Sequence, residues 1–152
     1  MPVRVQLEDF DAGQEIARMR QQRGDIGALV SFVGQVRDLN EGESVNTLTL
    51  EHYPGMTEKA LQGIIDQALQ RWNVIDALVI HRIGTLQPKD QIVLAAVAGP
   101  HRGDAFRACE FIMDYLKTEA PFWKKEQTMQ GMRWVEAKAS DDAARDRWAK
   151  PL

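Results

Sequence analysis

Residues 108–126 read ACEFIMDYLKTEAPFWKKE, and this stretch decides how the chain folds. From residue 106 to residue 116, apolar residues recur every three or four positions. Such spacing places them on one side of an α-helix, where they form a stripe that faces a core. The pattern therefore predicts a helix whose buried side carries Phe106, Cys109, Met113 and Leu116.

Pro121 ends this helix, because proline has no amide hydrogen and pushes the preceding residue away from helical angles. We expect the last helical residue to be Thr118 or Glu119. Residues 122–128 then alternate in polarity, as side chains do along a β-strand. One face of that strand carries Phe122, Lys124 and Glu126, and the other carries Trp123 and Lys125.

Two lysines thus lie on either side of the break at Pro121. Lys117, in the last helical turn, complements the negative end of the helix dipole, which is a purely structural role. The functional alternative is that Lys117 and Lys124 converge on an anion.

The composition is typical of a folded globular protein. A chain of 152 residues fits a single domain, residues 1–152, and buries roughly 70% of the surface that its unfolded form exposes. Charged residues make up 27% and apolar residues 44%, which argues against disorder. The net charge of -3 argues against general nucleic-acid binding, which needs a basic surface. Any anion-binding site must therefore be local.

The single cysteine, Cys109, excludes an internal disulfide and a multi-cysteine metal site. Because it lies on the apolar side of the predicted helix, we expect a small buried side chain rather than a nucleophile. No metal and no cofactor is predicted. The N-terminus has no apolar signal core, and the longest apolar run, 92–98, is too short to span a bilayer. We expect a cytoplasmic protein without a membrane partner.

Both helical and strand patterns occur along the rest of the chain. The predicted strands are 3–7, a largely buried 27–37 with a bulge or close approach at Gly34, 45–52, 74–83 paired with 92–98, and a hairpin of 122–128 with 132–138. The other predicted helices begin at Asp9 or Asp11, at Thr57 and at Ser140, each a capping residue.

Four positions are candidates for anion binding: Arg37, the His101-Arg102 pair, Lys117 and Lys124. Arg102 follows a glycine-bearing strand end and opens a helix, where backbone amides attract anions. His101 has the alternative role of a turn histidine that bonds a neighbouring carbonyl. About 20 Å of helix separates this pair from Lys117. Either there are two sites, or a second copy of the chain supplies Arg102 to the lysines of the first.

Several segments in order resemble the large, catalytic subunit of molybdopterin synthase, the MoaE family. They are VGQVR at 33–37, LTLEHYPGM at 48–56, IHRIG at 80–84, His101-Arg102, FIMDYLKT at 111–118 and APFWKKE at 120–126. The likeness extends from residue 27 to 148. It implies a fold of the α+β class, an α/β hammerhead with an antiparallel sheet, packed helices and a C-terminal β-hairpin. It also implies a homodimer.

The resemblance also implies a partner and a reaction. A small ubiquitin-like sulfur-carrier subunit, whose C-terminal Gly-Gly carries a thiocarboxylate, binds each large subunit to give a heterotetramer. Its tail enters the large subunit's pocket and gives up sulfur, in two rounds, to cyclic pyranopterin monophosphate. The product is the dithiolene of molybdopterin. The implied enzyme is a sulfurtransferase of molybdenum cofactor biosynthesis.

Carried over by position, the family's substrate-binding residues are Gln35, Val36, Arg37, His101, Arg102, Lys117, Lys124, Lys125 and Glu126. Many family members have lysine where this chain has Gln35, so the pocket loses one cation.

The residue types suit the implied chemistry, because clustered cations lower the free energy of bringing two anions together. We assign the catalytic role to Lys117, as acid/base or oxyanion stabiliser, with Lys124 in support. Arg37 and Arg102 suit phosphate, being always charged and bidentate. His101 either carries a second proton or orients the phosphate.

Two other interpretations remain. In the first, Phe122, Trp123, Lys124 and Lys125 form an aromatic-basic patch of a non-enzymatic binding module for a peptide or single-stranded nucleic acid. The net negative charge argues against nucleic acid. In the second, the lysines are solvated surface residues without a function.

Overall fold

The structure is a computed structural model that describes residues 2–21, 23–40, 42–135 and 139–149. The elements in chain order are β1 (Val3–Gln6), α1 (Ala12–Gln21), β2 (Ala28–Gln35), β3 (Leu39–Asn40), β4 (Glu43–His52), α2 (Met56–Arg71), β5 (Asp76–Arg82), β6 (Gly84–Leu86), β7 (Gln91–Gly99), α3 (Arg102–Glu119), β8 (Phe122–Thr128), β9 (Gly131–Val135), α4 (Ala139–Asp146) and a 3-10 turn (Arg147–Ala149).

The first sheet has the strand order β1-β5-β7-β2. β5 and β7 pair antiparallel, as predicted, whereas β1 pairs parallel to β5. β7 is buried on both faces, which explains its continuous apolar sequence. Val93, Ala95 and Val97 pack against α2 and α3, while alternate residues of the strand pack in the cluster that contains Met19 of α1. The sheet is therefore a central layer between helices.

The strand predicted at 27–37 is not largely buried, because β2 is an edge strand that pairs only with β7. Phe32 and Val33 are 41% and 37% exposed. The bulge predicted at Gly34 is confirmed by a register shift between Gly34 and Gln35. A Cβ at Gly34 would lie 2.9 Å from Cγ1 of Val93, so the side chain of Val93 occupies the space that a side chain at position 34 would need.

The second sheet has the order β3-β4-β8-β9, with β6 paired to β4. Leu48 and Leu50 of β4 point inward and pack with Val36 and Leu86. The hairpin of β8 and β9 matches the predicted one as far as Val135, while residues 136–138 lie outside the described part of the chain. The α+β fold with packed helices and antiparallel pairing is confirmed.

The junction between α3 and β8 follows the prediction. α3 ends at Glu119, and Ala120 is extended, because Pro121 comes next. Cys109 is buried, as predicted. Phe106 contradicts the prediction and is 59% exposed, since the buried face of α3 is centred nearer Ala105 and Ile112 and Phe106 lies at its border.

Of the three predicted helix caps, only Asp11 is confirmed. Its Oδ1 accepts a hydrogen bond from the amide of Gln14 at 3.0 Å. Thr57 and Ser140 lie inside α2 and α4 instead of before them. Thr57 is fully buried, and its hydroxyl donates to the carbonyl of Pro121 at 3.0 Å. It therefore ties the start of α2 to the junction between α3 and β8.

Within the described residues, no helix combines the length and the apolar character that crossing a membrane requires.

Candidate active site

A cavity of about 640 Å³ lies where the first sheet, the second sheet and the end of α3 meet. Residues from β2, β4, β5, β7, α3 and β8 line it. Six of the nine predicted site residues are among them: Gln35, Val36, Arg37, Lys117, Lys124 and Glu126. The cavity brings together residues that are distant in sequence, because β2 and β8 belong to different sheets.

Lys117 and Lys124 reach the cavity from the two sides of the Pro121 break. Lys117 is in the last turn of α3 and is exposed, whereas Lys124 is half-buried on the inner face of β8. Burial, and then the neighbouring charge and hydrogen bonding of Lys117, lower the pKa of Lys124 to about 8. The carboxylates of Asp141 and Glu126 oppose this effect. Lys124 is thus able to gain and lose a proton near neutral pH.

The segment from Gln35 to Arg37 forms another wall of the cavity. The bulge after Gly34 precedes Val36, which is buried against the leucines of β4 and β6. Backbone bonds hold Val36 on both sides, since its amide donates to the carbonyl of Asp90 and its carbonyl accepts from the amide of Lys89, each at 2.9 Å. Arg37, which follows, is exposed, and its Nη2 lies 3.4 Å from Oδ1 of Asn40. Because Val36 is anchored in this way, the guanidinium of Arg37 is held at the mouth of the cavity.

Glu126 is a buried carboxylate in the wall of the cavity, at 5% exposure. Its Oε1 accepts a hydrogen bond from Nδ2 of Asn40, and its Oε2 accepts one from Nη2 of Arg133 at 3.1 Å. The ion pair with Arg133 neutralises its charge. Glu126 therefore links β8 to the loop that carries Arg37.

The other three predicted site residues lie outside the cavity. His101 and Arg102 are exposed at the start of α3, and the helical rise puts Arg102 about 22 Å from Lys117. Lys125 is on the outer face of β8, where its Nζ lies 4.4 Å from the ring centroid of Trp134. Within one chain, these residues do not meet Lys117 and Lys124.

Comparisons with known proteins identify the family of the chain. Residues 5–119 match the family model described as MoaE protein. The chain belongs to the MoaE family. A molybdopterin synthase catalytic subunit from Ralstonia nicotianae is 66% identical to it over 146 residues, which are 96% of this chain and 83% of that relative. The solved molybdopterin biosynthesis MoaE protein from Burkholderia ambifaria MC40-6 is 56% identical and has a TM-score of 0.84, with 97% of each chain covered.

A more distant structure shares the fold at a TM-score of 0.72 and 18% identity, over 91% of this chain and 92% of that one. It is a protein-protein complex of subunit 1 and 2 of molybdopterin-converting factor from Helicobacter pylori 26695.

Family membership confirms the predicted function class: the chain is a MoaE-family enzyme of molybdenum cofactor biosynthesis. The aromatic-basic binding module is not supported. Phe122 and Lys124 face inward, while Trp123 and Lys125 face outward, so the four residues do not form one patch. Among the described residues, no group of three His, Cys, Asp or Glu side chains is arranged to hold a metal ion.

Among the cavity residues that the prediction from sequence missed is His81. This histidine is near the end of β5, is 2% exposed and lines the cavity. Its ring stacks on Phe122, with the centroids 3.8 Å apart and the planes inclined at 18°. Burial lowers the pKa of His81 to about 3, and the nearby Lys124 and Lys117 contribute. A histidine in an otherwise apolar strand was the signal that could have identified it.

Proposed function

We propose that this chain transfers sulfur from the C-terminal thiocarboxylate of a small sulfur-carrier subunit to cyclic pyranopterin monophosphate, forming the dithiolene of molybdopterin. The observation that carries the proposal is the convergence of Lys117, Lys124 and Arg37 on one cavity. Membership of the MoaE family supports the same reaction, since a curated relative is a molybdopterin synthase catalytic subunit.

The cations of the cavity suit two anionic reactants. A phosphorylated pterin and a thiocarboxylate repel each other, and positive side chains in a partly desolvated cavity offset that repulsion. Arg37 offers a planar, permanently charged fork for the phosphate. Lys117 supplies a further charge beside it. We therefore expect the cavity to bind both reactants and to hold the sulfur near the carbon that it attacks.

Proton transfer falls to Lys124 in this proposal, because the two lysines differ in burial. In each round a carbon–sulfur bond to the pterin forms, an oxygen substituent leaves the same carbon, and water cleaves the acyl–sulfur bond. The carrier tail then leaves as a carboxylate. Protonated Lys124 gives a proton to the departing oxygen, and the neutral amine takes one from the attacking water, which a pKa of about 8 allows. Lys117 stabilises the oxyanion that forms.

The partner follows from the chemistry and from the related proteins. The sulfur must arrive on another molecule, because the chain's one cysteine is buried and burial raises its pKa to about 11. We propose a small ubiquitin-like carrier whose Gly-Gly tail is thin enough to enter the cavity. A structure with this fold is a complex of two subunits, which supports such a partner.

We further propose a homodimer in which each chain lends His101 and Arg102 to the cavity of the other. Both residues are exposed and too far from Lys117 to act within their own chain. Phe32, Val33 and Phe106 are exposed apolar side chains, which a second copy would cover. With one carrier bound per chain, the assembly is a heterotetramer. Lys125 is not assigned a role in substrate binding, because it faces away from the cavity.

The proposal is tested with the variant Lys117→Ala. We expect turnover of the carrier thiocarboxylate and pyranopterin to fall by about 10³-fold or more, because a charge that stabilises the oxyanion is lost. Binding of the carrier, measured by calorimetry, should stay within about twofold, since a single side chain inside the cavity adds little to a whole interface. Turnover within a few-fold of wild type would overturn the assigned role of Lys117.

A further inference from the structure

His81 has an orientation that fixes which of its nitrogens carries hydrogen. Its Nδ1 lies 2.8 Å from the carbonyl oxygen of Arg82. A carbonyl oxygen only accepts hydrogen bonds, so Nδ1 must donate. In a neutral imidazole the other nitrogen, Nε2, then has a lone pair and no hydrogen. Stacking on Phe122 holds the ring plane in place, so this tautomer is presented in one orientation.

The surroundings of His81 keep the ring neutral. The charged or titratable groups that act on it are Lys124 of β8, Lys117 of α3 and His52 of β4, and all three disfavour a positive ring. The side chain is also withdrawn from water. Consequently Nε2 remains a hydrogen-bond acceptor throughout the working pH range.

Nε2 has no hydrogen-bond partner among the described residues, although the side chain is almost completely buried in the cavity wall. Nε2 is not sealed inside the protein, since the buried side-chain nitrogen without a partner among the described residues is Nε1 of Trp72, so Nε2 is open to the cavity that His81 lines. The cavity therefore contains an acceptor that the protein itself does not satisfy.

The charged groups of the cavity differ from His81 in what they offer a ligand. Arg37, Lys117 and Lys124 donate hydrogens and attract anions. Glu126 is already bonded to Asn40 and Arg133, and the charge of Asp141 acts on Lys124. An anion alone would satisfy the cations but would offer nothing to Nε2 of His81.

We propose that His81 is a substrate-contacting residue whose Nε2 accepts a hydrogen bond from an N–H or O–H group of the pterin. This inference rests on the proposed function and deepens it. The cations bind the charged part of the substrate, and His81 selects a substrate that also carries a hydrogen-bond donor. A heterocycle with an amino group and a ring N–H has that chemistry.

The first experiment uses the wild-type protein and nitrogen NMR of the histidine rings. We expect His81 to show a protonated Nδ1 and an unprotonated Nε2 from pH 6 to 9. Adding cyclic pyranopterin monophosphate should shift the Nε2 resonance as a new hydrogen bond forms, whereas adding sulfate, which has no hydrogen to donate, should leave it unchanged. A protonated Nε2, or an equal response to sulfate, would overturn the inference.

The second experiment uses three variants and calorimetric binding of the same two ligands. His81→Asn keeps a donor for the Arg82 carbonyl but has no atom at the Nε2 position, and His81→Gln places an amide oxygen near it. We expect His81→Asn to weaken pterin binding about tenfold, which is the value of one hydrogen bond, and to leave sulfate binding unchanged. His81→Gln should recover most of the loss. His52→Asn, the same change outside the cavity, should stay within twofold.

Thermal unfolding of each variant separates a loss of fold from a loss of contact. If His81→Asn folds and binds the pterin as well as wild type, the role of His81 is refuted while the proposed function stands. If Lys124 titrates differently in His81→Asn and pterin affinity is unchanged, Nε2 serves the lysine and the inference is wrong. If wild type binds no pterin at all, the proposed function fails, and this inference with it.

Discussion

The two ends of α3 carry similar residues in opposite surroundings. At its C-terminal end, Lys117 meets Lys124, Glu126 and Arg37 in a cavity that the same chain encloses. At its N-terminal end, His101 and Arg102 are exposed. Positive side chains at a helix end are thus not a site by themselves. The second sheet encloses one end, and we propose that a second copy of the chain encloses the other.

Mixing two inactive variants should produce the largest effect and tests this contrast directly. Lys117→Ala and Arg102→Ala each damage every site of their own homodimers. A mixed dimer has one site with both wild-type residues, so random mixing should give about a quarter of wild-type activity.

The matched control mixes Lys117→Ala with Lys124→Ala. Both lesions fall in the cavity of their own chain, so every site stays damaged and no activity should return. Recovery in the control, or none in the first mixture, would contradict a site shared between chains. The measurement is turnover after subunit exchange, with the dimer content checked by native mass spectrometry.

The free energy of unfolding should also differ between variants at the two ends of α3, although this effect is smaller than the change in activity. The pKa of Lys124 is lowered on folding, so at neutral pH the folded state carries a charge that the cavity disfavours. This destabilisation has its full size below about pH 8. It disappears as the pH rises from about 8, the pKa of Lys124 in the folded state, to 10.5, the ordinary pKa of a lysine. Lys124→Met should therefore raise the free energy of unfolding by about 2 kcal/mol at pH 7, and by much less near pH 11.

The exposed end supplies the comparison for Lys124→Met. Arg102→Met removes a solvated charge and should change the free energy of unfolding by no more than about 0.5 kcal/mol at either pH. Urea denaturation of both variants at the two pH values measures the difference. If the two variants change the free energy of unfolding equally, the cavity does not disfavour the charge of Lys124.

The smallest effect is expected on the outer face of β8. Lys125→Ala removes the contact with Trp134, and a cation–π contact near the protein surface is worth about 0.5–1 kcal/mol. Turnover should remain within about twofold of wild type, against the large loss expected from Lys124→Ala one residue earlier. A large loss of turnover in Lys125→Ala would mean that Lys125 does contribute to the site. The partner subunit would then have to contact the outer face of β8.

Local signals in the sequence predicted the junction of α3 and β8 and the face of β8 that Lys124 shares with Phe122 and Glu126. Proline stops a helix whatever surrounds it, and alternation fixes the faces of a strand. The position of a strand within its sheet depends on distant residues, which is why the exposure of Phe32 was not anticipated. His81 was missed for a similar reason, since its surroundings consist of Phe122 and the lysines that folding brings beside it.

Arg37 was predicted as a candidate from the sequence, and the structure places it beside the cavity, while its role in binding stays a prediction. Its anchoring was not predicted, since Val36 is held by the turn before β7 and by the leucines of β4 and β6. The distance between His101-Arg102 and Lys117 followed from the helical rise alone. The sharing of one site between chains remains a prediction.

Gly34 limits how this enzyme can be redesigned. Even one added methyl group at that position would lie 2.9 Å from Cγ1 of Val93, so that side chain or the strand beside it would have to shift, and both line the cavity. The absence of a Cβ at Gly34 therefore helps to set the shape of the cavity. A set of variants designed to reshape the cavity should change position 34 first. A set designed to preserve catalysis should keep glycine there.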